Sequence, residues 1–154
     1  YQNMKRTYYA IGFANDALGW EIRNMYFKGC IAPKAVTTIK RGTDRLQIFE
    51  GFMDFLSWQV LNPSSTSDAI VLNSLALLPR IQEKIKSYKQ VESFLDNDDA
   101  GRKSFEVLKH FCPSIIDGSV RYRTHKDINE WLVAQSKVKE KQPLLLTTKR
   151  GIRR

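Results

Sequence analysis

Acidic side chains gather in two short segments of this chain, and each segment follows an apolar run. Glu50 begins the first segment, residues 50–54, and Asp96 and Asp98 begin the second, residues 96–101. Side chains at the carboxyl ends of parallel strands point into the crevice where open α/β sheets bind ligands. A glutamate from one strand end and two aspartates from another can share Mg²⁺, which takes oxygen ligands. The pattern therefore favours metal-assisted phosphoryl transfer or phosphodiester chemistry.

Each acid also has a structural alternative. Asp98 or Asp99 could cap the helix that begins near Gly101, since aspartate is a preferred N-cap residue. Asp54 begins the helix that follows Glu50, and we expect it to cap that helix rather than bind a metal. Glu50 could instead pair with a nearby lysine, because an acid at the edge of a core is costly without a partner.

Two other site types are excluded by the residues. The segment that starts at Asp96 begins like a calcium loop, but Ala100 and Val107 stand where that loop requires ligands. The chain also lacks the Gly-x-x-x-x-Gly-Lys-Ser/Thr phosphate loop, which argues against a P-loop nucleotidase.

Alternating strands and helices must position these acids. Apolar runs predict buried strands, and apolar residues at helical spacing predict the helices between them. The predicted strands cover 46–49, 69–72, 91–95 and 120–123, and the predicted helices cover 54–61, 77–88, 101–111 and 127–135. This order predicts an α/β fold, with a mostly parallel central sheet flanked by helices and joined by right-handed crossovers.

A small β-rich unit precedes this core. Strand patterns near 8–13, 20–23 and 35–39 are separated by turn residues. We therefore predict three regions: a β-rich N-terminal subdomain at 1–43, a catalytic core at 44–135 and a basic tail or linker at 136–154.

Charge is distributed unevenly along the chain. The 154 residues carry a net charge of +9, with +5 on residues 1–45, −2 on 46–131 and +6 on 132–154. An acidic centre with basic flanks suits a metal site that faces a polyanion, although solubilising lysines and arginines would give the same totals.

Composition also indicates the size of the core and the cellular compartment. With 42% apolar residues the chain can build one compact core. Cys30 and Cys112 stand alone, without the paired spacing of a zinc site, and are expected to be buried reduced thiols. No apolar run is long enough to cross a membrane and no signal peptide is recognisable, so we expect a cytoplasmic protein with no membrane partner. Because the chain starts at Tyr1, we expect it to be a fragment of a longer protein.

Together the acidic segments resemble the Toprim domain of DNA primases, topoisomerases and some nucleases. That family carries a glutamate after its first strand and Asp-x-Asp after its third, as do Glu50 and Asp96-x-Asp98 here. Bacterial-type primases are the closer match, because their Glu-Gly-Tyr-Met-Asp and Asp-Gly-Asp-x-Ala-Gly-Arg are repeated almost fully at 50–54 and 96–102. Residues 126–132 resemble their Lys-Asp-Pro-Asp-Glu segment, with Ile128-Asn129 replacing Pro-Asp, so one secondary acid is missing.

The resemblance implies a function and a set of site residues. It implies RNA primer synthesis from nucleoside triphosphates on a single-stranded DNA template, with Glu50, Asp96 and Asp98 holding Mg²⁺ or Mn²⁺ and Asp127 assisting. The leading unit is similar to that of primase-like proteins of plasmids, phages and other mobile elements, which implies a replicative helicase as partner. The family's zinc-binding template module has no counterpart here, so the chain could be inactive alone. Candidate phosphate contacts are Arg23, Lys28, Arg102 and Lys103.

Two alternatives stay open at this point. The first is another Toprim enzyme, a nuclease or part of a topoisomerase, which would need a catalytic tyrosine on another domain. The second is a Toprim module that binds DNA without catalysis. Three acids in the expected positions argue against a module of that kind.

Overall fold

The computed structural model of the chain describes residues 9–141. Eight strands form two separate sheets in this part of the chain. The first is a three-stranded antiparallel sheet in the order β1-β2-β3, and the second has five strands in the order β4-β6-β5-β7-β8. The strands are β1 (Ile11–Ala14), β2 (Trp20–Arg23), β3 (Lys28–Ile31), β4 (Thr37–Ile39), β5 (Arg45–Phe49), β6 (Asp68–Val71), β7 (Gln90–Phe94) and β8 (Ile116–Asp117).

The five-stranded sheet is parallel except at one edge. β6, β5, β7 and β8 pair in parallel, while β4 pairs with β6 in the antiparallel direction. The helices α1 (Phe52–Leu61), α2 (Gln82–Ile85) and α3 (Asp99–Phe111) connect the parallel strands, and α4 (Ile128–Lys141) follows β8, with 3₁₀ segments at Leu75–Ile81 and Gly118–Tyr122. The predicted α/β fold, a mostly parallel sheet with a small N-terminal β-rich unit, is confirmed.

Apolar side chains cover both faces of the five-stranded sheet, as parallel strands require. Leu46 and Ile48 of β5 point to one face, where α3 and the segment around α2 supply Ile81, Ile85 and Leu108. The other face is aromatic, and α1 and α4 cover it with side chains that pack on Phe49 and Phe94 of the central strands. Its buried members are Phe49, Phe52, Phe55, Trp58, Ala69, Val71, Phe94, Tyr122 and Ile128. These two layers fix the strands whose ends carry the acids.

Two predicted elements were wrong. The helix predicted at 77–88 is a 3₁₀ segment, Leu75–Ile81, followed by the single turn of α2, because Pro79 has no amide hydrogen for a longer α-helix. The strand predicted at 120–123 is also 3₁₀ helix, and the edge strand β8 precedes it. In that segment Tyr122 is buried with its hydroxyl on the Leu95 carbonyl, a contact that an edge strand would not make.

The N- and C-terminal regions differ from the predicted elements in three details. β3 was not predicted, and β4, which lies inside the predicted leading unit, pairs with β6 of the main sheet. α4 continues to Lys141 rather than ending at Gln135, because the residues that follow Gln135 include several that favour a helix. The division into 1–43, 44–135 and 136–154 stays a prediction, and residues 1–8 and 142–154 lie outside the described part. None of the helices described here combines the length and apolarity needed to span a membrane.

Candidate active site at the carboxyl edge of the parallel sheet

Parallel pairing of β5 and β7 brings the two acidic segments together. Phe49 and Phe94 are register partners at the ends of these strands, so the residues that follow them leave the sheet side by side. The amide of Asp96 donates a hydrogen bond to Glu50 Oε2 at 3.3 Å. The structure therefore places Glu50 and Asp96 at one edge of the sheet, as the sequence predicts.

The loop after β7 is held by its own side chains. Asp98 is the N-cap of α3, and its Oδ1 accepts a hydrogen bond from the Gly101 amide at 2.9 Å, so the predicted capping role is confirmed. Asn97 turns away from the acids and donates to the carbonyls of Tyr122 and His125, both at 3.0 Å. A Cβ on Gly101 would lie 2.0 Å from the Asp96 carbonyl oxygen, so glycine allows α3 to start this close to the loop.

Lys126 joins the two aspartates of this loop. Its Nζ lies 3.2 Å from Asp96 Oδ2 and 3.7 Å from Asp98 Oδ2. The hydrogen bond and the charge of Asp96 raise the pKa of Lys126, so the ammonium stays charged. Lys126 therefore pairs with Asp96 and Asp98 rather than with Glu50.

Burial and crowding disfavour charge on the acids nearest the sheet. Burial, followed by the negative charge of Asp96, raises the pKa of Glu50 to about 7. Burial also raises the pKa of Asp96, although the hydrogen bond from Lys126 opposes this. Asp98 differs, because the hydrogen bond from the Gly101 amide lowers its pKa despite some burial. Together these acids carry more negative charge than Lys126 neutralises.

Asp54 is a fourth acid of the site, and its predicted role as a cap was wrong. α1 begins after Gly51, which has no side chain to cap it, and Asp54 is the third helical residue. The Asp54 side chain is buried, and in the described part of the chain its Oδ1 accepts one hydrogen bond, long at 3.4 Å, from the Asn129 amide. Burial and the charge of Asp127 raise the pKa of Asp54 to about 7.

Asp127 stands at the other side of this acid group. Its Oδ1 accepts a hydrogen bond from the Glu130 amide at 2.7 Å, at the start of α4, while Glu130 Oε2 accepts from the Lys126 amide at 2.6 Å. These two bonds resemble a capping box, except that Glu130 accepts from the Lys126 amide rather than the Asp127 amide, and they orient the 126–130 segment. Asp127 therefore has a structural role in addition to its place at the site.

A cleft of about 860 Å³ separates the acids from the three-stranded sheet. Its floor includes Glu50, Asp54, Asp96, Lys126 and Asp127. The opposite wall is formed by the β2–β3 hairpin, including Arg23 and Lys28, which are register partners on neighbouring strands. The structure thus brings two of the four predicted phosphate contacts to face the acids.

Arg102 and Lys103 lie elsewhere. Arg102 donates to the Asn97 carbonyl at 2.9 Å and pairs with Asp99 at 2.6 Å, within the first turn of α3. Lys103 follows it on the exposed side of the helix. Neither residue lines the cleft, and their contact with phosphate stays a prediction.

The donor set suits Mg²⁺ or Mn²⁺, although the side chains are not closed around an ion. Carboxylate oxygens are the preferred ligands of such hard cations, and crowded acids with raised pKa values gain from a nearby positive charge. The Lys126 ammonium already bridges two of the three proposed ligands. Among residues 9–141, no three Asp, Glu, His or Cys side chains are arranged as a metal site.

Some site residues were missed by the sequence reasoning. Asp54 and Lys126 lie inside the recognised segments, but a capping role was assigned to the first and no contact to the second. The spacing of four residues between Glu50 and Asp54 was the available signal, since it fits one turn at the start of a helix. The β2–β3 hairpin was missed as a wall of the site, because no local pattern shows which way a separate small sheet faces.

The sequence model of the Toprim-like family matches residues 47–132, which is more than half of the chain. The chain therefore belongs to the Toprim-like family, and the expected family membership is confirmed. A second model, for a domain of unknown function (DUF8464), matches residues 1–32. The comparison with curated proteins found no match.

Solved structures from bacteriophage T7 share the fold. The primase fragment of the T7 primase-helicase protein superposes with a TM-score of 0.63 at 15% identity, covering 85% of this chain and 60% of the fragment. The primase domains in a T7 complex with lagging-strand DNA polymerase, an RNA/DNA hybrid and dTTP give a TM-score of 0.60 at 15% identity, covering 85% of this chain and 73% of the other. The chain thus spans about 60% of the length of the T7 primase fragment.

Proposed function

We propose that this chain is the catalytic part of a primase-like nucleotidyltransferase that makes RNA primers on single-stranded DNA. The observation that carries the proposal is the junction of Glu50 with Asp96, whose amide lies 3.3 Å from the glutamate oxygen, opposite the basic hairpin wall. Membership of the Toprim-like family and the fold shared with the T7 primase fragment support it.

In this proposal Glu50, Asp96 and Asp98 hold Mg²⁺ or Mn²⁺, and Asp127 assists from the edge of the cleft. A bound ion of this kind neutralises negative charge that develops on phosphate oxygens during phosphoryl transfer. Lys126 supplies a positive charge to Asp96 and Asp98. Asn97 holds the loop against the 122–126 segment, so the two aspartates keep their separation.

The basic residues supply the other half of the proposed site. Arg23 and Lys28 face the acids across the cleft and are placed to contact the triphosphate or the template backbone. Positioning of this kind accounts for much of phosphoryl-transfer catalysis. Arg102 and Lys103 would extend the contact along α3. A replicative helicase partner, an origin in a mobile element and a cytoplasmic location belong to the same proposal, and the T7 primase-helicase neighbour supports the first of these.

Primer synthesis in the natural protein that contains this segment tests the proposal. Nucleoside triphosphates, Mg²⁺ and single-stranded DNA are supplied, and product RNA is measured for the wild type and for Glu50→Gln and Asp96→Asn. Because each variant removes a charge and keeps the side-chain shape, we expect both proteins to fold and to lose at least about 100-fold in rate.

The matched control is Glu106→Gln, a charge removal on the exposed face of α3, which should leave synthesis unchanged. Synthesis by Glu50→Gln at the wild-type rate, with normal metal dependence, would contradict the catalytic assignment. In that case the DNA-binding module becomes the better interpretation.

A further inference from the structure

The tip of the β2–β3 hairpin presents apolar side chains beside the acidic cleft. Met25 is 85% exposed and Tyr26 is 77% exposed, and both line the cleft whose floor carries Glu50 and Asp96. Within residues 9–141 the Tyr26 side chain makes no hydrogen bond or ring contact. A large aromatic side chain left exposed at the mouth of a charged cleft is available to a ligand.

Asn24 makes this hairpin tip rigid. Its Oδ1 accepts hydrogen bonds from the amides of Tyr26, at 2.8 Å, and Phe27, at 3.0 Å, and its amide donates to the Phe27 carbonyl at 3.0 Å. Its Nδ2 donates to the Tyr9 carbonyl at 2.9 Å, which ties the turn to the segment before β1. Side-chain bonds of this type replace a backbone turn and fix the direction of the residues that follow.

Positive charge at the base of the hairpin, next to Tyr26, indicates the chemistry of the ligand. Arg23 and Lys28, paired across β2 and β3 at the base of the hairpin, suit a phosphate backbone. Proteins that bind single-stranded nucleic acids combine a basic groove with aromatic side chains on which bases stack. An apolar protein partner would not need two cations at the same place, and a free phosphate would not need the ring.

We infer that the Tyr26 ring stacks on a base of the single-stranded nucleic acid template at the mouth of the cleft, with Met25 beside it and Asn24 as the positioning residue. This inference rests on the proposed function and names a contact that holds its template. Arg23 and Lys28, which lie side by side at the base of the hairpin, bind the backbone next to the stacked base. The hairpin then keeps the next template base over the acidic floor.

Binding of short oligonucleotides to the 154-residue chain tests the inference. Oligo(dT) is compared with an abasic strand of equal length, because only the first offers bases to stack. The wild type should prefer oligo(dT), and Tyr26→Ala should weaken oligo(dT) binding by roughly 5- to 100-fold while leaving abasic binding unchanged. Tyr26→Phe should restore the preference, since it keeps the ring.

A matched control and a salt series separate stacking from charge. Tyr9→Ala removes an equally exposed tyrosine, 89% exposed, that does not line the cleft, and it should bind like the wild type. Lys28→Gln should lower the slope of log affinity against log salt by about one counterion, whereas Tyr26→Ala should leave that slope unchanged. Asn24→Ala should lose part of the base preference, because the turn is no longer fixed.

Three results would overturn the inference. The first is that Tyr26→Ala binds oligo(dT) as tightly as the wild type. The second is that the wild type shows no preference for oligo(dT) over the abasic strand. The third is that Tyr26→Ala weakens the binding of free dTTP but not of oligo(dT). The last would assign the ring to the incoming nucleotide rather than the template. None of these changes the dependence of primer synthesis on Glu50, so the proposed function is tested separately.

Discussion

Acidic side chains lie at both edges of the parallel sheet, and their pKa values are shifted in opposite directions at the two edges. At the amino edge, Asp68 begins β6 and is 1% exposed. Burial alone would raise the pKa of this carboxyl, but hydrogen bonds from the Arg41 amide, the Tyr88 hydroxyl and the Thr43 amide lower it to about 2. At the carboxyl edge, Glu50 and Asp54 have pKa values raised to about 7.

The number of donors explains this difference. Asp68 is surrounded by backbone and side-chain donors, so its negative charge is satisfied within the fold. Within residues 9–141, Glu50 and Asp54 each accept one long backbone hydrogen bond and lie near other acids. A buried acid whose negative charge is stabilised by hydrogen-bond donors of the fold has a structural role. Crowded acids with few donors leave negative charge uncompensated, and a bound ligand can relieve it.

Removal of one acid from each edge should give the largest contrast. Asp68→Ala leaves the Arg41 and Thr43 amides without their acceptor, so we expect a loss of about 2–4 kcal/mol in the free energy of unfolding. Asp54→Asn keeps the shape and removes a crowded charge, so its free energy of unfolding should be unchanged or higher at pH 7.5. Urea unfolding at that pH measures both. A larger loss for Asp54→Asn than for Asp68→Ala would break the comparison.

Divalent cations should stabilise the protein through the carboxyl edge alone. At one hundred times the dissociation constant, Mg²⁺ or Mn²⁺ binding to the folded state adds about 2.7 kcal/mol, which raises the Tm by about 5–10 °C for a chain of this size. The rise should shrink in Asp96→Asn and Asp98→Asn and persist in Asp68→Asn. Thermal unfolding with and without the cation measures it. Equal rises in all four proteins would exclude a site shared by Asp96 and Asp98.

The pH dependence of stability should have opposite signs at the two edges. The stability due to Asp68 is present above the unfolded-state pKa of about 4 and is lost as the pH falls toward about 2. The stability due to protonated Glu50 and Asp54 is present below about pH 4 and is lost as the pH rises through about 7. Tm measured between pH 5 and 8 should therefore fall, and Asp54→Asn should fall less. A profile identical to that of the wild type would contradict the raised pKa of Asp54.

The smallest effect concerns the two pairs of basic residues. Arg23→Gln with Lys28→Gln removes charge from the cleft wall, whereas Arg102→Gln with Lys103→Gln removes it from α3, outside the cleft lining. Affinity for oligo(dT), measured at several salt concentrations, should be weakened more in the first pair, and the slope of log affinity against log salt should become shallower by about two counterions. A greater loss for the α3 pair would place the backbone path along that helix.

Local sequence determined the chemistry of this protein and most of its core elements. Glu50, Asp96 and Asp98 could be assigned to strand ends, because apolar runs and the residues that stop them are neighbours in the chain. The capping role of Asp98 could also be predicted, since a cap depends only on the helix that starts at the next residue. The motifs in order were enough to predict the family, which the match at 47–132 confirms.

Only the tertiary structure decided which side chains meet across long separations. Lys126 reaches Asp96 and Asp98, Asp54 is buried next to α4, and the β2–β3 hairpin closes the cleft through contacts between residues far apart in the chain. The strand expected at 120–123 became 3₁₀ helix because burial of Tyr122 outweighed the β-propensity of its neighbours. The local sequence pattern indicates which roles a residue can have. The distances between side chains, which select one of these roles, are set only when the two sheets pack together.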